Sequence, residues 1–95
     1  MSDIVGGELC NIAVIANQRG LHARAAAKFV KIAEAFKAET IVVKDDMRVS
    51  ARSIMGLMML AASCGTAIKI CSTGVDAADA VNALTELVKR KFDEE

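Results

Sequence analysis

The spacing of apolar positions changes several times along the chain, and each change marks an element. Leu9 to Ala16 is rich in Leu, Ile, Val and Ala and reads as a strand. Its apolar residues fall on both parities, so the pattern does not say which face is buried. From Ala23 to about Lys37 the period becomes helical. Ala26, Phe29, Val30, Ala33 and Phe36 form one stripe, while Lys28, Lys31, Glu34 and Lys37 point to water. Thr40 to Lys44 and Arg48 to Ala51 are short strands joined across Asp45-Asp46-Met47. The pair looks like a hairpin, and with no glycine in the turn a longer or looser connection stays open beside a tight one. Ser53, a good N-cap, opens a short helix to about Leu60, and Thr66 to Ser72 alternates as a fourth strand. A closing helix runs from Asp76 to about Phe92, with Ala80, Val81, Leu84, Leu87 and Val88 as its apolar stripe. Asp76 and Asp79 near its start and Lys89, Arg90 and Lys91 near its end complement the helix dipole. Residues 1–7 hold two glycines and no periodicity, and read as a loose leader.

The order is βαββαβα, which points to an α/β (α+β) fold with a four-stranded antiparallel sheet and the helices on one face. With 95 residues and no linker or repeat, residues 1–95 form a single domain. Lys plus Arg and Asp plus Glu are both 12, so bulk charge gives no reason to expect nucleic acid. Aromatic residues make up 3%, with neither Tyr nor Trp, which removes the stacking platform of an RNA-binding sheet. No apolar run approaches the ~20 residues that span a bilayer, and no signal-like leader is visible. Membrane insertion is not expected, and a cytoplasmic location follows as the default. Cys10, Cys64 and Cys71 lack C-x-x-C spacing, and read as small buried hydrophobes kept reduced. With one histidine they fit no common zinc spacing, so neither metal nor cofactor is expected.

Candidate chemistry concentrates where the strand pattern hands over to the helical one. The chain's single histidine lies in Asn17-Gln18-Arg19-Gly20-Leu21-His22-Ala23-Arg24. A helix amino end offers unpaired N–H groups and partial positive charge, which suits a phosphate. An imidazole there adds a nucleophile, and Arg24 adds a planar cation able to grip phosphate oxygens through two donors. With His22 as N-cap, the backbone N–H groups of Ala23, Arg24 and Ala25 are the unpaired donors. The economical reading is a histidine that accepts a phosphoryl group and passes it on.

Gly20-Leu21-His22-Ala23-Arg24 resembles the active-site signature of the histidine-containing phosphocarrier proteins of the bacterial phosphotransferase system (HPr and nitrogen-branch NPr types). A second run, Ser53-Ile54-Met55-Gly56-Leu57-Met58, is similar to the family's regulatory serine segment. The likeness extends from about Leu9 to Phe92. It implies an open-faced sandwich with strand order 1-4-2-3, phosphorylation of His22 on Nδ1, and assistance by Arg24. It also implies enzyme I as donor, an enzyme IIA as acceptor, and HPr kinase/phosphorylase acting on Ser53. One departure stands out: many relatives carry proline where this chain has Ala25, which restores a backbone donor at the first turn.

The short helix after Ser53 is more apolar than one buried stripe needs. Ile54, Met55, Leu57 and Met58 are therefore expected at a partner interface, since flexible Met-rich surfaces suit proteins that dock on several partners. A phosphate on Ser53 would suit the helix dipole yet place negative charge in that patch. Sequential docking on larger partners suits a monomer. A free-standing histidine phosphatase would want a further acid or base in a pocket. The remaining alternatives are a regulatory relative acting through partner binding alone and a small α/β binding module without phosphotransfer.

Overall fold

Antiparallel pairing along one sheet organises the chain. The computed structural model describes residues 7–94; the expected leader lies outside the described residues except for Gly7. The elements are β1 (Leu9–Val14), α1 (Ala23–Ala33), β2 (Glu39–Lys44), β3 (Met47–Ser50), α2 (Ile54–Met59), β4 (Ala67–Thr73) and α3 (Ala77–Lys89), followed by a short 3-10 turn, Lys91–Asp93. The strands lie in the order β1-β4-β2-β3 with every pairing antiparallel. This is the expected 1-4-2-3 sandwich. Crossovers through α1 and α2 put β4 beside β1, so the sheet is not a simple meander.

The helices cover one face. Ala13, Val42, Ile68 and Ile70 point to that side and pack with Phe29 of α1, Leu57 of α2 and Leu84, Leu87 and Val88 of α3. On the same side Thr40 and Ser72, opposite each other in β2 and β4, satisfy one another by a 2.6 Å hydroxyl bond. The ambiguity of β1 resolves here. It is an edge strand in which only Ala13 is buried, and Ile12 and Val14 stand 68% and 54% exposed on the open face.

Several boundaries differ from the periodic reading, each for a local reason. α1 stops at Ala33 instead of Lys37. The carboxylate of Asp76 accepts from the backbone N–H groups of Lys37 and Ala38 at 2.9 and 2.8 Å, which holds the next turn in a non-helical course. These bonds keep the Asp76 carboxyl below the usual carboxylate range. Asp76 is thus the residue before α3, but its side chain serves another loop and makes no bond to its own helix. Phe36 leaves the stripe and packs with Ala38, Ala77 and Ala80. Lys28 does not point freely to water; it is half-buried, and its Nζ donates to the carbonyl of Phe92 at 2.8 Å. The β2–β3 turn is tight, because Lys44 and Met47 are paired and only Asp45-Asp46 lie between them. Asp45 takes φ of 55°, a left-handed conformation that Asp tolerates better than most residues.

The cysteine reading needs correcting too. Cys10 and Cys71 face each other across β1 and β4 and form a disulfide, closing a loop of 61 residues. Only the register of two distant strands reveals that pairing. Cys10 is exposed, and so is Cys64, which is a free thiol donating weakly to the Ala16 carbonyl at 3.8 Å.

Cross-linking an edge strand to its neighbour restricts the unfolded chain, typically by about 2–4 kcal/mol. Reduction is expected to lower the unfolding free energy by about that amount, read as a lower urea midpoint with reductant than without. Equal midpoints would show that the bridge contributes nothing.

Candidate functional site

The loop before α1 aims His22. Asn17 is 2% exposed; its amide nitrogen donates to the Gly20 carbonyl at 2.8 Å, and Gly20 N–H returns a 3.1 Å bond to the Asn17 carbonyl. Gly20 has φ of +69°, and a Cβ there would meet the Ala62 carbonyl oxygen at 2.6 Å, so the position requires glycine twice over. Leu21 N–H donates to that same oxygen at 2.9 Å, and its side chain is buried. The chain therefore reaches His22 with no slack.

His22 is the N-cap of α1, with φ −80° and ψ 179°, and its carbonyl accepts the first helical bond from Ala26 N–H at 2.8 Å. Its ring makes no capping bond, which leaves the imidazole available. Among the described residues, the N–H groups of Ala23, Arg24 and Ala25 have no backbone acceptor, the orphan donors of a helix start. Ala25 turns its methyl into the core at 0% exposure, while Arg24 is exposed and makes no ion pair with a described residue.

Two residues at this site escaped the sequence reading. One is Asn17, counted there only as loop. The other is Glu94, whose Oε2 lies 2.5 Å from His22 Nε2 while its Oε1 accepts from the Asn17 amide nitrogen at 3.0 Å. The bond with His22, then that with Asn17, lowers the Glu94 carboxyl against an opposing effect of burial, with the Arg19 charge assisting. Asn17, Gln18, Arg19 and Glu94 line a shallow depression of about 130 Å³.

Glu94 arrives by an unusual route. The helix expected to reach Phe92 ends at Lys89, and Lys91, Phe92 and Asp93 follow with φ of 60°, 56° and 62°. Left-handed non-glycine residues cost roughly 1–2 kcal/mol each. Burying a phenylalanine returns up to about 3 kcal/mol, and Phe92 is 0% exposed. The Lys28 bond to its carbonyl, a charged donor, contributes about 1.5–3 kcal/mol more. Asp93 is further tied to Arg90 by a 2.9 Å ion pair. In sequence, Asp93-Glu94-Glu95 resembles a solvated acidic tail; the only signal against that is a phenylalanine among charges, which acts as an anchor.

At the second motif, Ser53 is the N-cap of α2 and its Oγ accepts from Gly56 N–H at 2.9 Å. Ile54, Met55 and Met58 are 40%, 72% and 42% exposed, but Leu57 is 0% exposed and belongs to the core, so its assignment to an interface is wrong. It occupies the one position of the short helix that faces inward against β3 and α1. Met59, left out of that assignment, is 65% exposed. Elsewhere, the Glu8 carboxylate lies within 4.8 Å of the Cys10 and Cys71 sulfurs, which are bonded to each other.

Residues 10–90 match the family model described as "PTS HPr component phosphorylation site". A phosphocarrier protein HPr of Neisseria meningitidis serogroup A is 52% identical over 80 residues, covering 84% of this chain and 90% of that protein. A phosphocarrier protein NPr of Shewanella violacea is 44% identical over 80 residues, covering 84% of this chain and 88% of that one. The crystal structure of HPr-C-His from Thermoanaerobacter tengcongensis superposes with a TM-score of 0.88 at 42% identity, covering 92% of this chain and 98% of that one.

Gly20→Ala tests the pinned approach to His22. The clash and the positive φ together are expected to cost about 1–3 kcal/mol. Calorimetry should show a lowered Tm, and the His22 and Ala62 amide resonances should shift together.

Proposed function

The chain belongs to the HPr family of the phosphotransferase system, and we propose that His22 is the residue on which this phosphocarrier holds its phosphoryl group. One observation carries the assignment: the imidazole stands at the amino end of α1 without capping it, beside three N–H groups that have no backbone acceptor among the described residues. Those donors, with Arg24, suit the oxygens of a PO3 group in transit, and Nδ1 is the attacking atom. Stabilising charge with fixed dipoles needs no rearrangement at the moment of transfer.

On this reading phospho-enzyme I, charged by phosphoenolpyruvate, is the donor and an enzyme IIA the acceptor. Relatives named both HPr and NPr match the chain, so a sugar and a nitrogen branch both accord with it. Ile54, Met55, Met58 and Met59 of α2 form the docking surface, which sits against α1. The whole chain acts as one domain, a monomer in the cytoplasm. Among the described residues no helix is long and apolar enough to cross a membrane.

Regulation at Ser53 by an HPr kinase/phosphorylase is the second part of the reading. Its Oγ already lies at the α2 cap, flanked by Ile54 and Met55. A phosphate there gains from the helix end but sets about two negative charges in an apolar docking surface.

With enzyme I and radiolabelled phosphoenolpyruvate, the wild-type protein should acquire an acid-labile, base-stable label, and His22→Ala should acquire none. A labelled His22→Ala protein would refute the assignment. Ser53→Asp should keep its fold by circular dichroism, since Asp is also a good N-cap. It should accept phosphate about tenfold more slowly or worse, as an unpaired charge buried in an apolar interface costs at least a few kcal/mol. An unchanged rate would remove Ser53 from regulation.

A further inference from the structure

We propose that the Cys10–Cys71 disulfide is a reversible redox site, opened by a dithiol reductant at the sulfur of Cys10, that controls how firmly the outer half of β1 is held to the sheet. The inference goes beyond phosphoryl transfer and uses residues that neither the His22 loop nor α2 contains.

Strand register places the two cysteines where exchange can occur. Ile15 N–H donates to the Thr66 carbonyl at 2.8 Å, which makes these two a hydrogen-bonded pair of the β1–β4 ladder. Bonded and non-bonded pairs alternate along an antiparallel ladder. Ala13 and Asn11 are therefore bonded positions, and Cys10–Cys71 is a non-bonded one. Side chains of a non-bonded pair lie closest, and here the Cα atoms are 4.1 Å apart. Period two also fixes the face. Ile68 and Ile70 pack with the helices, so Cys71 points to the open face with Cys10 and Ile12. No helix covers that face, and a reductant can approach.

The two ends of the bond differ in access. Cys10 is exposed and Cys71 is 2% exposed, so attack falls on Cys10. The Glu8 carboxylate lies within 4.8 Å of both sulfurs, but it is ion-paired to Arg48 at 3.7 Å. Lys69, two residues before Cys71, adds positive charge on the same face. An incoming thiolate meets balanced charge and not a lone carboxylate.

The exchange is a two-electron reduction. A thiolate of the reductant attacks Cys10 Sγ, the S–S bond breaks, and its electron pair leaves on Cys71 Sγ, which takes a proton from water. The second thiolate of the reductant attacks its own sulfur in the mixed disulfide and releases Cys10, which is protonated in turn. Two electrons and two protons reach the protein, and the reductant ends as a disulfide.

Packing decides what the bond controls. Leu9 to Ile12 are all exposed, and the side-chain bond from this stretch, Asn11 Nδ2 to Thr85 Oγ1, is long at 3.4 Å. Beyond it Ala13 and Ile15 are buried, and Ile15 keeps backbone bonds to Thr66 and Gly65. Once the disulfide opens, ladder bonds alone resist fraying of the outer half, and Ile15 stops the fraying short of the His22 loop. In the cytoplasm proposed above, a disulfide is typically transient and redox-sensing, not permanent.

The full chain tests this under native conditions. Dithiothreitol, and separately a dithiol oxidoreductase, should raise the thiols alkylated per chain from one, Cys64, to three, with the circular dichroism spectrum retained. Oxidised glutathione should return the count to one. Limiting alkylation of the reduced protein should mark Cys10 before Cys71. Hydrogen exchange at the Asn11 amide should accelerate about 30-fold or more on reduction, and at Ile15 far less. Cys10→Ser should show the fast Asn11 exchange with or without reductant, and Cys64→Ser should behave as wild type. A bond that opens only after denaturation, a reduced chain that loses its fold, or Asn11 exchange unchanged by reduction would overturn the proposal.

Discussion

The open amino end of α1 is the constraint on which the site depends. A helix start leaves its first N–H groups without partners, and a protein normally answers with a side-chain cap. This chain does so at α2, where Ser53 Oγ takes up Gly56 N–H, and not at α1, where the His22 ring makes no such bond. The uncapped end is tolerable because it faces solvent, and useful because the same donors suit a phosphate. Everything upstream serves to hold that end still: the glycine at φ +69°, the Asn17 brace and the double use of the Ala62 carbonyl.

The residues around the His22 ring come from sequence-distant parts of the chain. Asn17 and Gly20 set the loop, and a reversal of backbone hand after α3 brings Glu94 to the other side of the imidazole. Phe92 and Lys28 link the reversal to α1 and the core, so the segment that carries Glu94 is packed against the helix that carries His22.

The order of the elements along the chain and the His22 position were legible because they depend on local signals: period changes, a glycine before the histidine, and a serine before an apolar run; the strand order 1-4-2-3 came from the family resemblance and not from periodicity. What was not legible depends on contacts between distant positions. Cys10 and Cys71 become neighbours only through the register of β1 on β4. Asp76 looks like a cap for its own helix, yet it binds Lys37 and Ala38, a loop 38 to 39 residues away. That competition also explains why α1 ends early although its apolar stripe continues to Phe36. Leu57 shows a different limit, since apolar composition alone cannot tell the inward position of a one-and-a-half-turn helix from its exposed neighbours. Glu94 is the extreme case, an acidic tail residue by composition and a ring partner by geometry.

A carrier differs from a binding protein in needing to lose its cargo as readily as it gains it, and the site is built accordingly. Arg24 is exposed, so on the proposed reading water and salt would screen its hold on a phosphate far more than they would a buried guanidinium. His22 and Glu94 are each about one-fifth exposed as side chains, enough for a partner's reacting group to approach along the open side. A fully enclosed site would strengthen every electrostatic contact and trap the phosphoryl group. Specificity then has to come from elsewhere, and the exposed methionines of α2 supply an apolar surface that neutral overall charge does not oppose. On the proposed reading, weak capture at the ring combined with apolar docking beside it would let the partner, not the carrier, decide the direction of transfer.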